Sequence, residues 1–235
     1  FDDSGRANGA LYARGFGLSV AQQPRPRRLS EDPKLPLALR QRDTLFHAGH
    51  VTAPWSIYVN DAAAAVRLTT TAQPSPGGAL TVQLEAPTVR STWSGRSPGT
   101  FSIGGRAADY RAVAAAGASI EVRYRVESPP QQPVRIGMSC EAPYGTHPPA
   151  DPAAPPINWA LCGTRTGAWL DMTAQFASAP IGSWRTLSIP LTCLTSDGAD
   201  LSHVSMPFAV ASGGKFAVSF SDVRIVHGGG KPICK

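Results

Sequence analysis

The chain has 235 residues, 42% of them apolar, which is ample for a core, and only 16% charged, which is low for a cytosolic protein. Its net charge of +6 lies mostly in an N-terminal arm: residues 1–42 hold eight Lys/Arg against four Asp/Glu, the remainder fourteen against twelve. No basic cluster is interleaved with aromatics, which excludes a nucleic-acid surface, and no apolar run approaches the ~20 residues that span a bilayer.

Residues 11–20, Leu-Tyr-Ala-Arg-Gly-Phe-Gly-Leu-Ser-Val, set aromatic and apolar groups around two close glycines. They read as the end of an α/β domain, residues 1–21, whose beginning lies outside this chain. A Pro/Arg-rich linker follows over residues 22–42. From residue 43 to 235 the pattern is that of one domain. Residues 43–61 mix turn residues with one strand, 55–59. Strands at 66–71, 80–84 and 88–93 alternate apolar and polar residues. Residues 107–116 are the single helix-like stretch.

Residues 119–126, Ser-Ile-Glu-Val-Arg-Tyr-Arg-Val, form the clearest strand. Ile120, Val122, Tyr124 and Val126 point one way, and Glu121, Arg123 and Arg125 the other. Residues 134–138 follow Pro129-Pro130 as its expected hairpin partner. Residues 141–158 carry six prolines and read as a long surface loop. Strands at 169–173, 185–191, 208–210, 215–220 and 223–226 complete the set. The 23 glycines and 22 prolines fit short strands joined by turns. The expected fold is therefore all-β, a β-sandwich of jelly-roll type.

Few residues suggest catalysis. Gly95-Arg96-Ser97-Pro98-Gly99 matches the G-x-S-x-G elbow of serine hydrolases, but that elbow needs the N–H of the residue after the serine, and Pro98 has none. His47-Ala48-Gly49-His50 spaces two imidazoles for a metal on a helix, yet Gly49 and Pro54 oppose a helix and no third ligand is adjacent. Glu121 and Glu127 stand ~20 Å apart along a strand, too far for a glycosidase carboxylate pair. Asp197-Gly198-Ala199-Asp200 reads as a plain turn. No catalytic residue, metal or cofactor is expected.

Four cysteines, Cys140, Cys162, Cys193 and Cys234, lack zinc spacing and fit two disulfides in an oxidising compartment. Of three possible pairings, Cys140–Cys162 would clamp the Pro-rich loop and Cys193–Cys234 would pin the C-terminus, each worth roughly 3–4 kcal/mol in the chain-entropy account. Five tryptophans remain, Trp55, Trp93, Trp159, Trp169 and Trp184. An indole exposed on a β-sandwich suits the C–H face of a pyranose. The alternation puts Trp169 opposite Leu170 and Met172, and Trp184 opposite Leu187 and Ile189. Trp169 and Trp159 lead as carbohydrate contacts, with Trp93 beside them.

Two stretches resemble a known family. Residues 11–19 resemble the L-[FY]-P-F-G-[YF]-G-L-S-Y segment closing the second domain of glycoside hydrolase family 3, departing at Ala13-Arg14 and at Val20, where the family usually has Tyr. Residues 53–61, Ala-Pro-Trp-Ser-Ile-Tyr-Val-Asn-Asp, are similar to the extra C-terminal galactose-binding-like domain of bacterial exo-β-glucanase and β-glucosidase members of that family. So are Tyr124-Arg125-Val126, Ser183-Trp184-Arg185-Thr186-Leu187, Pro190-Leu191-Thr192-Cys193 and residues 198–204. The resemblance implies a retaining, periplasmic or secreted bacterial β-glucosidase whose aspartate nucleophile and glutamate acid/base precede this segment. It implies a β-glucan or β-glucoside substrate and an N-terminal catalytic polypeptide as partner. The alternative is an autonomous carbohydrate-binding module working through exposed tryptophans. If both disulfides form, thiol labelling of the unreduced, unfolded chain finds no free cysteine; four labelled thiols would refute them.

Overall fold

The computed structural model describes residues 27–28, 43–59, 73–74, 80–95, 98–105, 107–139, 167–195 and 201–227. Its strands are β1 (Arg27–Arg28), β2 (Thr44–His47), β3 (His50–Val51), β4 (Ser56–Val59), β5 (Gln73–Pro74), β6 (Leu80–Glu85) and β7 (Thr88–Trp93). They continue with β8 (Gly99–Gly104), β9 (Ala118–Ser128), β10 (Arg135–Ser139), β11 (Gly167–Asp171), β12 (Trp184–Pro190), β13 (Met206–Ser212) and β14 (Phe216–His227). Among the described residues three five-residue helices intervene: α1 (Arg111–Ala115), α2 (Thr173–Ala177) and α3 (Leu191–Thr195).

Two antiparallel sheets result. The larger runs β12-β9-β14-β7-β6-β5, with β2 and β1 also on β14 and β3 on β2; the smaller runs β11-β10-β13-β8-β4. Period-2 patterning explains why they close on each other. Ile120, Val122, Tyr124 and Val126 of β9 are buried while Arg123 is exposed and Glu121, Arg125 and Glu127 are half-buried, the alternation of a strand with one dry face. Phe101 and Phe208 from the small sheet meet Phe220 from the large one, with ring centroids 5.6 and 5.7 Å away. All three are wholly buried, each contributing about 1.5–3 kcal/mol of burial.

The longest ladder, β9 on β14, contains two β-bulges. Ala217 pairs with Ser128 and Val218 with Val126, leaving Glu127 as the extra residue of β9. Phe220 pairs with Tyr124 and Asp222 with Arg123, leaving Ser221 as the extra residue of β14. The second bulge switches the inward set from Phe216, Val218 and Phe220 to Val223 and Ile225. That switch joins into one strand what the sequence divides into residues 215–220 and 223–226.

Several expectations change. Residues 134–138 are not the hairpin partner of β9. As β10 they pair with β11 and β13 in the other sheet, while β9 pairs with β12 and β14. Arg27–Arg28, within the expected linker, pairs with His227 and Val226. The helix expected at 107–116 is shorter, and two further helical turns, α2 and α3, follow β11 and β12. The expected strand at 66–71 and the proline-rich loop at 141–158 lie outside the described residues.

One hydrogen-bonded chain ties β11 to the start of β10. The Val134 N–H donates to Thr173 Oγ1 at 2.9 Å, and the Thr173 hydroxyl donates to Asp171 Oδ1 at 2.5 Å. The Thr173 N–H also donates to Asp171 Oδ1, at 2.9 Å. The Thr173 hydroxyl first, then its N–H, hold the Asp171 carboxyl below its ordinary 3.8. Since Val134 is wholly buried, Thr173→Val orphans a buried N–H and should cost about 1–3 kcal/mol in chemical denaturation. A depressed folded value means that the Asp171 contribution is complete above the unfolded value and is lost as pH falls through the folded one. Asp171→Asn should therefore flatten the loss of stability below pH 3.8, read as melting temperature against pH.

Candidate functional site

The three tryptophans nominated from sequence separate. Trp93 closes β7, where Val89, Ser91 and Trp93 turn inward together. It is 1% exposed, stacks on Phe216 at 5.1 Å, and its indole N–H donates to the Gly99 carbonyl at 2.8 Å. Trp93 is therefore a core residue and not a sugar contact, a correction that follows from an inward parity combined with a buried acceptor for its N–H. Trp159 lies outside the described residues.

Trp169 faces outward on β11. Leu170, its neighbour, opposes the wholly buried Ile136, so Trp169 shares the other face with Gly137. It is half-buried. Across the small sheet the same register row continues from Gly137 through Ala209 and Ser102 to Tyr58. Small residues thus form a floor flanked by two aromatics, but Ala209, Ser102 and Tyr58 are 1%, 2% and 5% exposed. That row is closed to solvent beyond Trp169.

The outer face of the large sheet carries half-buried polar side chains around the wholly buried Ser219. Trp184 starts the edge strand β12 and pairs with Arg125 of β9. Arg125 pairs with Ser219 of β14, Ser219 with Arg90 of β7, and Arg90 with Gln83 of β6. One line perpendicular to the strands therefore carries an indole, a guanidinium, a hydroxyl, a second guanidinium and an amide. Two guanidiniums lie over the Trp184 ring, Arg125 at 5.0 Å and Arg123 at 5.3 Å. Arg125 Nε donates to Glu127 Oε1 at 2.8 Å with Nη2 2.7 Å from the same oxygen, and the buried Ser219 hydroxyl donates to that oxygen at 2.8 Å.

The neighbouring row is ionic. Arg224 binds Glu121 through Nε at 2.8 Å and through Nη2, and lies 3.7 Å from Asp222. His47 lies 3.6 Å from Asp222. Glu121 and Glu127 are thus each engaged by an arginine and do not form an acid/base pair across a cleft. His47 and His50 are cross-strand partners around a two-residue turn, with Ala48 at φ 48° and Gly49 at φ 87°. Among the described residues no three His, Cys, Asp or Glu gather as metal ligands, and no helix is long and apolar enough to cross a membrane.

Cys193 is buried in α3. Cys140, Cys162 and Cys234 lie outside the described residues, as do Asp197 and Asp200, so neither pairing is read from the structure. Trp184, which the sequence did not rank among the leading contacts, is the residue that the geometry brings forward. Its signal was the alternation against Leu187 and Ile189, both buried; its arginine partners come from another strand.

No curated protein matches the chain. Among solved structures, the exo-1,3/1,4-beta-glucanase (ExoP) from a Pseudoalteromonas species aligns with a TM-score of 0.51 and 14% identity, covering 78% of this chain and 20% of that one. The chain thus spans about a fifth of that enzyme. The separately solved extra C-terminal domain (X) of the same ExoP aligns at 14% identity and a TM-score of 0.49, over 78% of this chain and 91% of that one. A family 30 carbohydrate-binding module aligns with a TM-score of 0.51 and 15% identity over 82% of this chain and 92% of the module. At these identities the likeness is one of fold. The model of the Exop_C family, described as galactose-binding domain-like, matches residues 53–225, most of the chain, which therefore belongs to that family.

Proposed function

We propose that this chain is the non-catalytic C-terminal portion of a retaining β-glucosidase or exo-β-glucanase of the family 3 type, periplasmic or secreted from a bacterium. Its β-sandwich would serve the catalytic domains by binding β-glucan or by bracing them. The observation that carries this reading is the match of residues 53–225 to a family described as galactose-binding domain-like. The fold shared with a family 30 carbohydrate-binding module supports the sugar-binding part. The larger ExoP chain, of which this fold covers 20%, supports attachment to a catalytic polypeptide. Trp169, outward and half-buried on β11, is a proposed sugar contact, together with Trp159. The disulfides Cys140–Cys162 and Cys193–Cys234 belong to the same proposal.

A second reading, an autonomous carbohydrate-binding module, draws on one observation: the aromatic core residues of this chain are buried between its own two sheets. The two readings share a binding step and differ in dependence on a partner.

The test is affinity electrophoresis of the 235-residue chain in gels cast with soluble mixed-linkage β-1,3/1,4-glucan, beside an assay on an aryl β-glucoside. The chain should be retarded by β-glucan, not by dextran, and should release no aglycone. Absence of retardation would remove the sugar-binding reading, and hydrolysis by the chain alone would remove the non-catalytic one. Native mass spectrometry with the catalytic polypeptide then separates a docked tail from a free module.

A further inference from the structure

We infer that the outer face of the nine-stranded sheet, led by Trp184 and crossing through Arg125, Arg90 and Gln83 above the buried Ser219, is a contact surface for a neutral, extended pyranoside chain. This rests on the sugar-binding reading and assigns it a face that the tryptophan ranking did not.

Shape comes first. The five residues occupy one register row across five neighbouring strands. At about 4.8 Å per strand the row is about 19 Å long, the reach of a short extended oligosaccharide. At one end the half-buried Trp184 indole, with the Arg125 and Arg123 guanidiniums over its ring, offers its remaining accessible part to pyranose C–H groups. The guanidinium, carboxylate and amide groups that follow offer the paired donors and acceptors that vicinal hydroxyls need.

The row is also held in place before any ligand arrives. Glu127 is the extra residue of the β9 bulge, and bulges re-aim side chains next to functional sites. This one sets a carboxylate against both Arg125 and the buried Ser219 hydroxyl. Arg125 is thereby fixed over the Trp184 ring. A support of this kind orients contacting groups at low entropic cost on binding.

Charge decides the class of ligand. Arg125 is matched by Glu127, Arg90 by Glu85, and Arg224 by Glu121 and Asp222. Arg123 is exposed and lies over the Trp184 ring. A face so nearly self-neutralised attracts a polyanion weakly and suits an uncharged polyol.

The experiment is affinity electrophoresis of the full chain in mixed-linkage β-glucan, and in polygalacturonate as the polyanion, with wild type, Trp184→Ala, Arg123→Ala and Trp169→Ala compared. Melting temperatures report folding. Trp184→Ala should weaken glucan binding at least tenfold and Arg123→Ala several-fold. Arg123 is exposed and makes no ion pair among the described residues, so its variant keeps the test alive if Trp184→Ala fails to fold. Wild-type binding that survives both substitutions would overturn this face while leaving the sugar-binding reading intact. A wild type that does not bind glucan would overturn both. Tighter, Arg123-dependent retardation by polygalacturonate would overturn the neutral-ligand assignment.

Discussion

Strand β14 pairs with β1, β2, β7 and β9, and its ladder with β9 decides which residues of the large sheet meet water. In that ladder Val126, Tyr124, Val122 and Ile120 face Val218, Phe220, Val223 and Ile225 on the inner side, while Arg125, Arg123 and Glu121 face Ser219, Asp222 and Arg224 on the outer side. A slip of one residue would drive three charged side chains into the space between the sheets. Burying them there without the partners they now have costs several kcal/mol each, far more than one register shift could recover. The core and the outer face are therefore two consequences of one register.

The two bulges make that register compatible with long strands that must twist together. At Ser221 the extra residue lets an apolar run of one parity be followed by a run of the other without exposing either. At Glu127 it adds a carboxylate on the outer side, and the Arg125–Glu127–Ser219 cluster follows from it. Pairs as exposed as Arg125 and Glu127, with side chains 33% and 21% accessible, contribute about 0–1 kcal/mol to stability. Their weight lies in the orientation of Arg125 over Trp184, which is a property of the surface and not of the core.

Some of this was legible along the chain. Strand β7 appears at residues 88–93 as expected, and the faces of β9 follow its alternation residue by residue. The outward settings of Trp169 and Trp184 were readable from the buried neighbours that alternate with them. Strand β8 was not, because Gly-Thr-Phe-Ser-Ile-Gly begins and ends on glycine and lies beside a stretch that reads as a turn. Strand β2 hid among turn residues for a similar reason. The burial of Trp93 was also invisible, since an indole with an inward parity looks the same in sequence whether or not a carbonyl such as that of Gly99 waits for its N–H.

From the residues alone follow the all-β class, the inward and outward faces of regular strands such as β7 and β9, and the kinship with a galactose-binding-like family, because side-chain parity and motif residues are local properties of the chain. Tertiary structure alone decided which strands became neighbours. It sent β10 to the opposite sheet from β9, buried Trp93 against Phe216, and aligned Trp184, Arg125, Ser219, Arg90 and Gln83 from five separate strands into one row. That row gathers residues far apart in the chain, Trp184 and Gln83 at its two ends. What selects such pairing is the packing of the two inner faces, which no single stretch of sequence contains.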